Sequence, residues 1–84
     1  MRKEHISTLG LLFARPVSGS IKWKEIQSLF VALGARIDEA EGLRMSVELF
    51  GVLRVFQRPH PSPDTDKGAV ESIRKWLDSN GVRP

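Results

Sequence analysis

The chain has two histidines, and because histidine is the residue type whose ordinary pKa lies nearest neutrality, they are the first candidates for acid–base chemistry. His60 stands between Pro59 and Pro61, and the flanking proline rings restrict its backbone before any ligand binds. A fixed position suits a general acid or base, although a stiff loop can equally carry an exposed histidine with no role. His5 follows Glu4 near the start of the first predicted helix, and we expect it to be an ordinary surface residue.

A lysine on each side of a tryptophan marks the start of the second predicted helix. Lys22 and Lys24 flank Trp23, although cations at a helix N-terminus oppose the helix macrodipole. Free backbone N–H groups, two lysines and an aromatic ring would suit a phosphate chain with a neighbouring base. The alternative is that the lysines are merely solvated and Trp23 is partly buried in the core. The sequence leaves both interpretations open.

Three arginines form the second basic group. Arg44, Arg54 and Arg58 are predicted to lie at one edge of a sheet, on the face that the helices leave open. Guanidinium groups bind phosphate and stabilise charge that develops on it. The chain has 13 Lys and Arg against 10 Asp and Glu, a net charge of +3, which favours an anionic partner. Scattered surface arginines and a charge that serves only solubility are the alternatives.

Several other chemistries are excluded or disfavoured. The chain has no cysteine, which excludes disulfides, thiolate nucleophiles and zinc sites built on sulfur. Asp64, Asp66 and Glu71 suit the electrostatics of a helix start better than a metal site, which needs several converging oxygens. There is no glycine-rich phosphate loop and no serine-centred elbow. We therefore expect neither a metal ion nor a cofactor.

Helical periodicity predicts three helices that must position these groups. The first covers about residues 2–14, and its apolar face carries Ile6, Leu9 and Phe13. The second ends at Gly34, where a left-handed residue can stop a helix. The third begins after Thr65 or Asp66 and ends at Asn80-Gly81. The apolar stripes of the second and third helices consist of Ile26, Leu29, Phe30 and Leu33, and of Val70, Ile73 and Leu77, with Ala69 and Trp76 at the margin of the third.

Alternation of apolar and polar residues predicts two strands, 44–49 and 52–57, and a weaker one over 35–40. Short turns at Glu41-Gly42 and Phe50-Gly51 make the three strands antiparallel neighbours. The fold class is therefore α+β in the order α-α-β-β-β-α, with the helices packed on one face of the sheet. Met45, Val47 and Leu49 are predicted to face the core, whereas the open face is expected to present Arg44, Ser46, Glu48 and Arg54.

Eighty-four residues fit a single domain, 1–84. The longest apolar stretch, about residues 9–14, is too short to cross a bilayer, and no secretory cleavage site follows it. We expect a cytoplasmic protein that does not meet a membrane.

The order of elements and several short strings resemble the HicA family, the toxins of bacterial HicA–HicB toxin–antitoxin pairs. The supporting strings are 29–34 closing a helix, Gly42-Leu43-Arg44 entering a strand, Pro59-His60 after the last strand, 67–70 opening the final helix and 80–82 ending it. The resemblance covers roughly residues 23–82. It implies a fold like that of a double-stranded-RNA-binding domain, cleavage of mRNA as an endoribonuclease, and neutralisation by a HicB-like antitoxin encoded by an adjacent gene.

The sequence departs from this family at one residue that matters for chemistry. Members usually read Gly-Ser-His at the hairpin, and that histidine is held responsible for RNA cleavage, whereas here the string is Gly42-Leu43-Arg44. Arginine stays charged and cannot act as a base near neutral pH. On this interpretation His60, which matches a second family histidine, moves the proton and Arg44 stabilises the transition state. The residues expected to bind RNA are Lys22, Trp23, Lys24, Ser46, Arg54, Arg58 and Lys67.

Two further functions remain open. One is an RNA-binding module that has lost cleavage, which would show salt-dependent affinity without a cleaved product. The other is an interaction protein that meets only an acidic partner such as a HicB-like antitoxin. The first helix lies outside the common core of the family, and it could cover a sheet edge, extend the antitoxin interface or pair two copies as a homodimer.

Overall fold

The computed structural model describes residues Met1–Pro84 and has the predicted α+β order of elements. The three helices and three strands are α1 Lys3–Phe13, α2 Trp23–Ala32, β1 Arg36–Glu39, β2 Arg44–Leu49, β3 Val52–Gln57 and α3 Lys67–Ser79. None of the helices has the length and apolar character needed to cross a membrane.

The sheet is antiparallel in the order β1-β2-β3, and a two-residue turn fixes the register of its second hairpin. Phe50 and Gly51 both have positive φ, +56° and +72°, the conformation that matches the right-handed twist of two strands. Phe50 adopts this conformation although it is not a glycine, and its ring packs edge-on against that of Trp76, with the ring centroids 5.8 Å apart. This turn places Leu49 opposite Val52 and Val47 opposite Arg54.

Helices α2 and α3 cover one face of the sheet, and α1 packs across both of them. Met45, Val47 and Leu49 are buried on the covered face as predicted. The ring of Phe56 joins them there, because it contacts aromatic rings of both covering helices, those of Trp23, Phe30 and Trp76. Trp76, predicted to lie at the margin of the core, is a buried part of it.

The buried stripe of α1 differs from the predicted one. Leu9 is buried as expected, but Ile6 is 54% exposed. The stripe consists of His5, Thr8, Leu9 and Leu12, which also follows helical spacing. The expectation that His5 lies on the surface is therefore wrong, because α1 turns this side toward α2.

The open face of the sheet is not the basic surface that was predicted. Since residues opposite each other on neighbouring strands point to the same side, Arg54 shares the covered face with Val47, and its guanidinium carbon lies 4.8 Å from the centre of the Trp76 ring. Leu53 and Val55 alternate with Arg54 in the sequence, so placing Arg54 on the open face implied that they face the core; they are 63% and 60% exposed on the open face instead. The charges there cancel, because the open face carries Arg36, Asp38, Arg44 and Glu48, with the first two paired at 3.3 Å.

The last helix begins and ends at the predicted signals. Asp66 caps α3, since its Oδ2 accepts a hydrogen bond from the Ala69 N–H at 3.1 Å. At the other end the Val82 N–H donates to the Leu77 carbonyl at 2.9 Å. On the surface of α3, the hydrogen bond from Arg74 and the charge of Arg15 hold the pKa of the Glu71 carboxyl below its ordinary value of 4.5.

Candidate nucleic-acid interface

Two adjoining grooves meet at the start of α2. One, of about 420 Å³, runs along the exposed side of this helix, and the other, of about 440 Å³, lies between the helix start and the proline-rich segment after β3. Trp23, Lys24 and Arg58 line both. The first groove is completed by Gln27, Ser28 and Val31, and the second by Lys22, Glu25, Pro59, Pro61, Ser62 and Pro63.

The two shared cations come from elements that are far apart in the sequence. Lys24 is in the first turn of α2 and makes no ion pair. Arg58 directly follows β3 and is held at the end of the sheet, because its backbone N–H donates to the Leu43 carbonyl at 2.6 Å. Its guanidinium reaches a carboxylate of Glu39 only at 3.7 Å. Exposed pairs of this length contribute little, so both cations remain open to an anionic ligand.

Lys22 is engaged differently from Lys24. Its Nζ donates to Asp64 Oδ1 at 2.7 Å, and the two residues also form an isolated antiparallel bridge. The N–H of Trp23 at the helix start donates to the Pro63 carbonyl at 3.0 Å. The expected open lysine and free N–H groups at this point are thus partly occupied by the segment that precedes α3.

Trp23 belongs to the core. The residue is 3% exposed, and its Nε1–H donates to the Met45 sulfur at 3.3 Å. With both ring faces packed inside, it forms the inner wall of the grooves and offers no platform on which a base could stack. Of the two interpretations of Trp23, the structure selects the core.

The other predicted binding residues do not form one cluster. Arg44 is on the open face at the start of β2, opposite Gln57 and one residue away from the Leu43 carbonyl that holds Arg58. Ser46 is also on the open face, where its hydroxyl donates to the Asp38 carbonyl at 3.4 Å. Lys67 begins α3 and lies against Gly19, away from both grooves. Arg54 is exposed at the margin of the covered face, over the Trp76 ring, so its prediction for the open face is wrong.

His60 is exposed and its ring makes no hydrogen bond. It lines neither groove that contains Arg58, and it does not line the shallow pocket that Arg44 shares with Gly42, Leu43 and Gln57. The structure therefore gives no contact that joins His60 to the arginines.

The sequence analysis did not single out Ser28, which lines the first groove and contacts His5. Ser28 follows Lys24 by one helical turn and lines the same groove, so the i, i+4 spacing could have identified it. Its hydroxyl is 2.9 Å from Nε2 of His5. No local signal could have identified that contact, because it depends on how α1 docks on α2.

Comparisons of the chain with protein-family models, with curated proteins and with solved structures find no match.

Proposed function

We propose that this protein is a toxin of the HicA kind, which binds and cleaves mRNA in the cytoplasm and is neutralised by a HicB-like antitoxin encoded by an adjacent gene. The observation that carries the proposal is the groove along α2, which is lined by the two cations Lys24 and Arg58 and by no carboxylate. This groove replaces the open sheet face as the site of RNA binding.

A polynucleotide backbone suits this groove for electrostatic reasons. Each phosphate that a lysine or arginine neutralises releases condensed counterions, which makes binding favourable at low salt. Lys24 makes no ion pair, Arg58 has only the long, exposed pair with Glu39 at 3.7 Å, and Gln27 and Ser28 add hydrogen-bonding groups beside them. Arg44, at the start of β2, follows the Leu43 whose carbonyl holds Arg58, and we call Lys24, Arg44 and Arg58 together the basic edge. Because Trp23 offers no stacking face, affinity here depends on the backbone and little on base identity.

An acidic antitoxin would bind the same edge. A partner that carries carboxylates would be steered toward Lys24, Arg44 and Arg58 by charge and would exclude RNA by covering them. Neutralisation then requires no change of the toxin's fold.

The first experiment measures RNA binding and cleavage by the purified protein over a range of salt concentrations. The double variant Lys24→Ala/Arg58→Ala should lose affinity about equally for all sequences and lower the salt slope by about 2. Lys75→Ala, which removes an exposed lysine from α3 outside both grooves, is the matched control. Equal affinity and salt slope in the double variant and the control would contradict the proposed site.

The second experiment tests the toxin activity in cells. Induced expression in bacteria should arrest growth with loss of mRNA, and co-expression of the adjacent gene should restore growth. Normal growth with intact mRNA would reject the toxin function.

A binding module without cleavage is the second candidate. Two observations favour it: Arg44 stands where the family has its histidine, and His60 lines no groove with the cations. Salt-dependent binding of RNA that stays intact after long incubation would establish this candidate in place of the first.

A further inference from the structure

We propose that Ser28 and His5 form a proton relay for RNA cleavage, in which Ser28 contacts the ribose 2′-hydroxyl and passes its proton to His5. This inference rests on the proposed cleavage of RNA and names the group that would act as its base.

The geometry places a hydroxyl between the basic groove and a buried imidazole. Ser28 lines the groove of Lys24 and Arg58, and it also lines a neighbouring groove of about 350 Å³ between α1 and α2, where His5 lies. The Ser28 oxygen and His5 Nε2 are 2.9 Å apart. A hydroxyl within hydrogen-bond reach of an imidazole is the arrangement by which proteins activate hydroxyl groups.

His5 is held more firmly than an exposed histidine would be. The residue is only 8% exposed and packs in the same stripe as Thr8 and Leu9 of α1. Its Nδ1 is buried without a hydrogen-bond partner. In the tautomer that carries the proton on Nδ1, Nε2 accepts the hydrogen bond from the Ser28 hydroxyl. Ser28 is then the residue that touches the substrate, and His5 accepts the proton only through Ser28.

The groove that would hold the substrate and the groove around His5 carry different charges. The substrate side carries Lys24 and Arg58 and no carboxylate, so a phosphate would be held there. The titratable and charged groups that face His5 are Glu4 on its own helix and Lys24 and Glu25 on α2.

The reaction needs no reactant other than RNA and water. The 2′-oxygen gives its proton to the Ser28 oxygen while the Ser28 proton moves to His5 Nε2. The 2′-oxygen forms a bond to phosphorus, the bond from phosphorus to the 5′-oxygen breaks, and the leaving oxygen takes a proton from water. The resulting hydroxide is neutralised by the proton that His5 then releases. The products carry a 2′,3′-cyclic phosphate and a 5′-hydroxyl.

The test compares serine variants in cleavage of a defined RNA, because Ser28 is exposed on a helix and its replacement should not prevent folding. Ser28→Ala should slow cleavage about 100-fold and lower RNA affinity far less than the rate, whereas Ser28→Thr, which keeps the hydroxyl, should retain activity. Ser7→Ala is the matched control, since it removes another hydroxyl from the His5 groove that makes no contact with the ring. Equal rates for wild type and Ser28→Ala would overturn the relay.

A second measurement identifies the base. His5→Ala should slow cleavage, and added imidazole should restore part of the rate, whereas His60→Ala should cleave at the wild-type rate. A rate that falls in His60→Ala and stays unchanged in His5→Ala would assign the base to His60 and reject the relay. Wild-type protein that cleaves no RNA would reject the proposed cleavage itself, which separates that failure from failure of the relay.

Discussion

The two faces of the sheet differ in a way that the composition of their strands conceals. The open face carries two arginines and two acids together with the exposed side chains of Leu53 and Val55. The covered face is apolar at its centre, but at its rim Lys24 and Arg58 line a groove that contains no carboxylate, whereas Glu25 joins them in the second groove. Basic residues in a sequence therefore indicate an anion site only after register and docking decide which of them are neutralised.

The largest difference between the faces should be in stability. Val47 on β2 is fully buried, whereas Val55 on β3 is 60% exposed, so the same change to alanine tests opposite faces. Val47→Ala should lower the free energy of unfolding by about 2 kcal/mol, from the lost burial of two methyl groups and the cavity left behind. Val55→Ala should cost less than about 1 kcal/mol. Urea denaturation measures both, and equal losses would mean that the open face is packed in solution.

The next difference concerns RNA affinity at the two ends of the open face. Arg44 belongs to the basic edge and makes no ion pair, whereas Arg36 lies at the other end of the sheet, paired with Asp38 at 3.3 Å. Arg44→Ala should weaken RNA binding and reduce the salt slope by about 1, and Arg36→Ala should leave both unchanged. Titration of labelled RNA at several salt concentrations decides the matter. If the two variants lose the same affinity, the whole open face takes part in binding.

Arg54 should matter for stability and not for RNA. Its guanidinium lies 4.8 Å from the centre of the Trp76 ring, an arrangement worth about 0.5–1 kcal/mol at an exposed position. Arg54→Ala should lower the free energy of unfolding by that amount while RNA affinity stays unchanged. A clear loss of affinity in this variant would show that RNA reaches the covered side of β3.

The smallest expected effect is the change in the free energy of unfolding with pH that arises from Glu71. The hydrogen bond from Arg74 and the charge of Arg15 lower the pKa of this carboxyl. The stabilisation is therefore present above pH about 4.5, the ordinary value, and is lost as the pH falls through the lowered pKa. Glu71→Gln should be less stable than wild type near neutrality and equally stable in strong acid. Thermal melts across pH measure this difference, with Glu48→Gln, which alters a carboxylate without an ion pair on the open face, as the matched control.

Much of the fold could be predicted because its signals are local. Gly34 with φ of +96° and Gly81 with φ of +78° follow α2 and α3 as expected. The alternation of Met45, Val47 and Leu49 gave the correct buried face of β2. These positions depend on periodicity and on the conformational freedom of glycine, which a sequence displays directly.

The errors arose where a local pattern allowed two solutions. In β3 the alternation of Leu53 and Val55 suggested the wrong face, although the two-residue turn at Phe50-Gly51 already requires that Arg54 pair with Val47. Turn length fixes register, so this error could have been avoided. In α1 a stripe through Ile6 and a stripe through His5 both contain Leu9. The choice between them depends on α2, which no spacing within α1 reports.

The proline-rich segment that forms one side of the second groove is hydrogen-bonded, near its C-terminal end, to the residues at and just before the start of α2. The Trp23 N–H donates to the Pro63 carbonyl at 3.0 Å, the Thr65 N–H donates to the Ile21 carbonyl at 2.8 Å, and the side chains of Lys22 and Asp64 pair between them. This side of the groove is thus preorganised, and a ligand that enters loses little conformational entropy by ordering it. Association at this end of the molecule should resemble docking to a rigid body, with rates set by charge and diffusion and not by loop closure.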